Sequence, residues 1–140
     1  MNEKYKSLFN KNTVSLHIRR GDYVNLSDHH LLLDISYYKN AVNMFKNIEK
    51  VVVFSDDIEW CKENLDIKNT EFIENETDIV DLYLMSQCTH NIIANSSFSW
   101  WGAWLNKNDN KKVIAPKKWF GPKRNDLNDK DIIPETWIRI

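Results

Sequence analysis

Short apolar runs of strand length alternate with helix-spaced apolar stripes along most of this chain. Thr13-Val14-Ser15-Leu16-His17-Ile18 alternates polar with β-branched and apolar residues, and Gly21 marks a turn just beyond it. Thr13 to Ile18 therefore reads as a strand about to leave a sheet. The polar stretch before it, Met1 to Asn12, reads as a short helix or connector, and Val24 to Asp34 as a loop. Asp34 or Ser36 can cap a helix from about Ile35 to Ile48, whose core stripe is Tyr38, Ala41, Val42 and Phe45. Val51-Val52-Val53-Phe54 is a continuous apolar run, as a parallel strand buried on both faces requires. Ser55-Asp56-Asp57 ends that strand and caps a helix through about Leu65, with Ile58 and Cys61 inward; Glu71-Phe72-Ile73 is a brief strand. Thr77 to Cys88 is apolar nearly all round, which predicts a largely buried helix with one carboxylate, Asp81, in its middle. Asn91-Ile92-Ile93-Ala94 and Val113-Ile114-Ala115 are further strands, separated by a helix from Phe98 to Asn106. From Lys117 onward the chain reads as a loop, with Trp119, Phe120 and Trp137 as surface anchors.

Strands and helices alternating at these intervals predict an α/β fold, an open parallel sheet with helices on both faces, Rossmann-like in its plan. In such sheets ligands bind beyond the carboxyl ends of the strands. That rule sets His17 to Asp22, Ser55 to Asp57, Glu74 to Asp78, Asn95 to Ser97 and Pro116 along one rim.

The length, 140 residues, fits one domain with a working core, and no repeat or low-complexity tract divides it. With 19 basic and 20 acidic residues the formal net charge is −1, so affinity for nucleic acid is not expected and any anion site must be local. The polar start is unlike a signal peptide and no run approaches membrane-spanning length. Cys61 and Cys88 have neither a CxxC partner nor a histidine at ligand spacing, and read as core thiols of a reducing compartment. A cytoplasmic location follows, with peripheral association at the inner membrane as its variant.

Three stretches carry chemistry. His17-Ile18-Arg19-Arg20-Gly21-Asp22 delivers two guanidiniums, an imidazole and a carboxylate at one strand end. Arginine offers planar bidentate donors for phosphate oxygens, so Arg19 and Arg20 can grip phosphates or hold a site together. Asn95-Ser96-Ser97 stands between a strand and a helix, where free N–H groups and the hydroxyls of Ser96 and Ser97 can cap the helix and seat an anion together. Asp81 can accept two hydrogen bonds from the N1–H and N2–H edge of guanine, or it can be a structural partner of His17 or an arginine. The adjacent His29 and His30 have no further ligands flanking them, and no metal site is expected there.

These residues carry a resemblance to a family. His17-Ile18-Arg19-Arg20-Gly21-Asp22-Tyr23, Phe54-Ser55-Asp56-Asp57, Asp81 with its helix, and Asn95-Ser96-Ser97-Phe98-Ser99-Trp100-Trp101-Gly102-Ala103 resemble the bacterial α-1,2-fucosyltransferases, glycosyltransferase family 11, over nearly the whole chain. The resemblance implies one half of a GT-B-type enzyme. That enzyme inverts the anomeric centre, needs no metal or other cofactor, and moves fucose from GDP-fucose to a galactoside 2-hydroxyl in glycan or O-antigen synthesis. It implies that Arg19 binds the β-phosphate, that His17 and Asp81 hold the guanine, and that Ser97 binds phosphate. Arg19 is then the residue on which the chemical step rests, with Arg20 assisting or bracing, and Asp22 is the nearest carboxylate that could act as general base. Family members are longer, so residues 1–140 resemble a single GDP-fucose-binding domain, the carboxyl-terminal half. The acceptor-binding amino-terminal half, which a partner chain could supply, is absent.

Two other readings fit the residues. Asp56 and Asp57 at a strand end are where a Mg²⁺-dependent phosphoryl-transfer enzyme would keep its carboxylates, although no Lys-bearing phosphate loop accompanies them. A non-catalytic nucleotide-binding domain that needs a partner chain is the second.

Overall fold

A computed structural model of the chain describes residues 3–21, 33–120 and 132–140. Its elements are α1 (Glu3–Phe9), β1 (Thr13–Ile18), α2 (Ile35–Asn43), β2 (Lys50–Ser55), α3 (Ile58–Asn64), β3 (Thr70–Phe72), α4 (Asp78–Gln87), β4 (His90–Ile92), α5 (Ser97–Trp104), β5 (Val113–Ala115) and β6 (Ile138–Arg139). The strands form one parallel sheet in the order β3-β2-β1-β4-β5-β6. Strand β1 is central, with Thr13 opposite Lys50 of β2 and Val14 opposite His90 of β4. The order reverses direction between β1 and β4. That makes the gap beyond their carboxyl ends the switch point at which doubly wound sheets bind ligands.

Both faces of the sheet are covered, as a parallel sheet requires. Val14, Leu16 and Ile18 share a core with Val51, Val53, Ile92 and Ile114, closed by Tyr38 and Ala41 of α2 and Cys61 of α3. On the opposite face Val52 and Phe54 pack against Tyr5 and Leu8 of α1 and Leu84 and Met85 of α4. Farther along it, Ile93, Val113 and Ala115 pack with Ala103 of α5 and Trp137. The alternate residues of β1 on this second face are polar, and hydrogen bonds make the burial of Thr13 and Ser15 tolerable. Asn91 Nδ2 donates to Ser15 Oγ at 2.7 Å and to the Met85 carbonyl at 2.9 Å. Asn106 Nδ2 donates in turn to Asn91 Oδ1 and to the Cys88 carbonyl, each at 2.8 Å.

Several sequence-based expectations change. Helix α2 stops at Asn43 instead of running to Ile48. Met44 and Phe45 close it with bonds to the carbonyls three residues back, and Asn47, at φ 65°, turns the chain toward β2. Helix α4 is not largely buried: Ile79 is 81% exposed and Tyr83 also faces solvent, because a helix lying on a sheet buries only the side carrying Leu84 and Met85. In α5 the buried positions are the small residues Ser99, Gly102 and Ala103, and Trp101 and Trp104 point outward. The close approach explains this: a methyl group added at Gly102 would lie 2.9 Å from Met85 of α4. The tail contains a strand, β6, whose Ile138 lies opposite Ile114 of β5, and Trp137 is buried instead of anchoring the surface. Cys61 and Cys88 are free and buried on opposite faces of the sheet, as core thiols should be. The expected loop residues Val24 to Leu32, with His29 and His30, lie outside the described residues.

Candidate functional site

Beyond the end of β1 the chain meets the end of β2, and a dense set of polar contacts joins them. Ser55 Oγ donates to the Ile18 carbonyl at 2.7 Å and accepts from the Asp57 N–H at 3.0 Å. Asp57 caps α3 by accepting from the Trp60 N–H at 3.4 Å. Asp56 Oδ1 accepts from the Arg20 N–H at 2.9 Å. These bonds fix the path of the His17 to Gly21 segment against the β2 end.

Beside this junction lies a cavity of about 250 Å³ lined by His17, Arg19, Phe54, Ser55, Asp56, Asp78, Asp81 and Phe98. Three of the sequence-predicted residues therefore meet there: His17, Arg19 and Asp81. His17 is only 5% exposed, its ring centroid lies 5.5 Å from that of Phe98, and its Nδ1 has no hydrogen-bond partner among the described residues. Burial, helped by the Arg19 charge, lowers its pKa to about 3, so the imidazole is neutral at physiological pH. Asp81 Oδ1 is likewise buried without a partner among the described residues. Desolvation, then repulsion from Asp78 and Glu76, pushes its pKa up to about 6. The structural alternative for Asp81, a bond to His17 or an arginine, leaves no trace at that oxygen. Two buried polar atoms with unused capacity in one small cavity are the mark of a site waiting for a ligand's polar edge.

The two arginines part company. Arg19 stands in the cavity wall with Nε 3.6 Å from Asp56 Oδ2. Arg20 turns toward α3: its Nε lies 3.4 Å from Asp57 Oδ2 and its guanidinium rests 3.9 Å above the Trp60 ring. Strand alternation continued past Ile18 accounts for this, because His17 and Arg19 take one side of the sheet and Ile18 and Arg20 the other. Arg20 thus braces the segment through Asp57, and does not line the cavity. Ser96 is buried as the N-cap of α5 without a side-chain bond to the helix, and Ser97 is exposed in its first turn. Neither hydroxyl residue lines the cavity, but the next residue, Phe98, does. Asp22 lies outside the described residues.

Sequence reasoning placed Asp56 on the rim without seeing that it serves the arginine segment. Its position one residue past a Ser at a strand end, level with the Arg-Arg pair of the neighbouring strand, was the available signal. Phe98 was missed as a cavity residue, since nothing local marks it, whereas Asp78 stands on the expected rim and does line the cavity. Asp56 and Asp57 hold arginines and helix amides, which is not how a magnesium site would use them.

Comparison with known proteins is consistent with this geometry. The family model described as glycosyl transferase family 11 matches residues 6–140. An α-1,2-colitosyltransferase of Escherichia coli is 47% identical over 141 aligned positions, covering 92% of this chain and 48% of that protein. The O-antigen biosynthesis glycosyltransferase WbnK of Escherichia coli is 38% identical, covering 94% and 45%. Human galactoside α-(1,2)-fucosyltransferase 1 is 31% identical over 103 positions, 66% of this chain and 28% of the human protein. The chain spans about half the length of the two bacterial relatives. Among solved structures, fucosyltransferase NodZ from Bradyrhizobium aligns over 71% of this chain and 38% of its own, at a TM-score of 0.52 and 14% identity, a likeness of fold.

Proposed function

Because the chain belongs to glycosyl transferase family 11, we propose that it is the donor-binding half of an α-1,2-fucosyltransferase that takes its sugar from GDP-fucose. The observation that carries this reading is the pair of unpartnered buried atoms, His17 Nδ1 and Asp81 Oδ1, in one cavity with Arg19. Guanine presents two N–H donors on its Watson–Crick edge, which suit a carboxylate, and Arg19 supplies a cation for the diphosphate. Uracil lacks the second donor, so the same carboxylate would be poorly served by UDP.

Transfer breaks the bond between sugar C1 and the β-phosphate oxygen, forming an oxocarbenium-like centre while GDP gains negative charge. Groups whose contacts strengthen as that charge develops lower the barrier. Arg19 is the proposed catalytic residue, aided by the N–H groups and hydroxyls at Ser96-Ser97 where α5 begins. Asp22 is the proposed base for the acceptor hydroxyl, whose attack from the opposite face inverts the anomeric centre. No metal has a role in this scheme. The acceptor, a galactose-containing glycan, is proposed to be held by a further half or partner chain, with the work done in the cytoplasm or at the inner membrane surface. Among the described residues no helix is long and apolar enough to cross a membrane.

The 47% identity to a colitosyltransferase makes GDP-colitose a second donor to test. Calorimetry with GDP, UDP, GDP-fucose and GDP-colitose decides the reading. GDP should bind well above UDP, and one sugar nucleotide should match or exceed GDP. Equal binding of GDP and UDP would refute the guanine assignment.

A further inference from the structure

Most carboxylates on the rim beside the cavity are engaged within the protein. Asp56 accepts the Arg20 N–H at 2.9 Å and Asp57 the Trp60 N–H at 3.4 Å. Glu74 is held by Lys62 Nζ at 2.7 Å, and Glu76 accepts from the Tyr5 hydroxyl at 2.5 Å. Asp78 and Asp81 differ, and both line the cavity with His17. Asp81 is the carboxylate already assigned to the base. The Asp78 side chain is exposed and makes no hydrogen bond or ion pair among the described residues.

Helix α4 follows β3 in a parallel sheet, so it starts at the carboxyl ends of the strands and runs back along them. Asp78 is its first residue, and Asp81, three positions on, shares that side one turn deeper. The cavity therefore has an inner level, where His17 Nδ1 and Asp81 Oδ1 are buried and unpartnered among the described residues, and an outer level bearing Asp78. A nucleoside whose base occupies the inner level has its sugar at the outer one. We propose that Asp78 binds the ribose of the donor, its two carboxylate oxygens accepting from the 2′- and 3′-hydroxyls. Neighbouring hydroxyls present two donors side by side, which an ionised carboxylate matches with two acceptors. The inference deepens the donor-binding reading and rests on it for the placement of the base. Asp78 also carries a cost that this bond offsets: its charge repels Asp81 and would repel a diphosphate.

The bland role for Asp78 is an acid that favours the helix dipole at the start of α4. Ligands with and without the diol separate the two roles, because any repulsion from the diphosphate is common to both and cancels in their ratio. The experiment measures binding of GDP and 2′,3′-dideoxy-GDP at pH 7.5 to the wild-type chain, Asp78→Ala and Asp78→Asn. Wild type should prefer GDP by roughly tenfold. In Asp78→Ala that preference should vanish, through weaker GDP binding with dideoxy-GDP held or improved, and Asp78→Asn should lie between. Equal binding of the two ligands by wild type would overturn the proposal without any variant. An undiminished preference in either folded variant would overturn it too, as would failure of both variants to fold, which makes Asp78 structural. A wild type that does not prefer GDP to UDP refutes the guanine reading, and UDP against 2′,3′-dideoxy-UDP then decides the ribose contact by the same comparison. Absence of binding by all four nucleotides would overturn both.

Discussion

Replacing Asp81 by Asn should make the empty protein more stable and its nucleotide binding worse. The side chain keeps its shape, but its charge, crowded by Asp78 and Glu76 and half removed from water, disappears. Because the folded-state pKa is raised from 3.8 to about 6, folding is favoured by Asp81 below pH 3.8, and that contribution is lost as pH rises through about 6. At pH 7 the wild type therefore bears the full penalty and the variant none. Solvent still reaches this group, so the relief is worth no more than about 1 kcal/mol. Against guanine the change works the other way. An acceptor facing two N–H donors becomes partly a donor, which should weaken GDP by about 1–3 kcal/mol. Calorimetry with GDP at pH 7.5, set beside thermal unfolding of the empty protein, reads both effects. Guanosine, which has no phosphate titrating near pH 6, gives the cleaner pH profile. Its affinity for wild type should fall as pH drops below about 6, where Asp81 takes up a proton, and that for the variant should stay flat. His17, neutral down to about pH 3, does not titrate in that interval. Equal GDP affinity of the two proteins, or a guanosine profile with no inflection in wild type, would refute the assignment of Asp81 to the base.

Other outcomes follow from the same geometry. With a complementary half supplied, Arg19→Lys should lower kcat far more than Tm, because it keeps charge but loses the planar fork; near-normal kcat in a folded Arg19→Ala protein would remove Arg19 from the chemical step. GDP binding should be the same in EDTA as in Mg²⁺ or Mn²⁺, and loss on chelation with recovery on Mn²⁺ would show that a metal holds the diphosphate. Replacing Cys61 and Cys88 by Ala should lower Tm and leave GDP affinity unchanged; a large affinity loss in a folded double variant would contradict their placement in the two cores. Gly102→Ala should destabilise by about 1–3 kcal/mol by pushing α5 off Met85, measured by urea unfolding, and a neutral result would mean the helices part freely.

The fold was legible where one residue pattern admitted one environment. The apolar run from Val51 to Phe54 could only be a strand covered on both sides, and helix-spaced stripes between such runs left a parallel sheet as the sole economical arrangement. The strand-end rule then located His17 and Arg19 on one rim before any distance was known, and Asp81 stood out separately as the lone carboxylate in the middle of an apolar helix. What escaped was set by tertiary contact. Ile79 and Tyr83 belong to an apolar helix, and composition does not say which side of it meets the sheet. β6 spans Ile138–Arg139 and is too short to show a period; only the edge of β5 makes it a strand. The divergence of Arg19 and Arg20 was readable in principle, since alternation carried beyond Ile18 sends them to opposite faces.

The central position of β1 has a consequence for how the chain reaches this structure. Thr13 finds its partner at Lys50, and Val14 finds its second neighbour only at His90. No two adjacent strands are joined by a hairpin, so every pairing closes a long loop before any ladder energy returns. Folding should accordingly be slow for a domain of this size, with the β1–β2 pair waiting, one edge unpaired, until β4 arrives. That waiting edge carries Thr13, Ser15 and His17 on one face instead of an unbroken apolar surface. The hydroxyls of Thr13 and Ser15, later tied to the Thr89 N–H and to Asn91, keep it wetted in the interval and make a wrong partner less welcome.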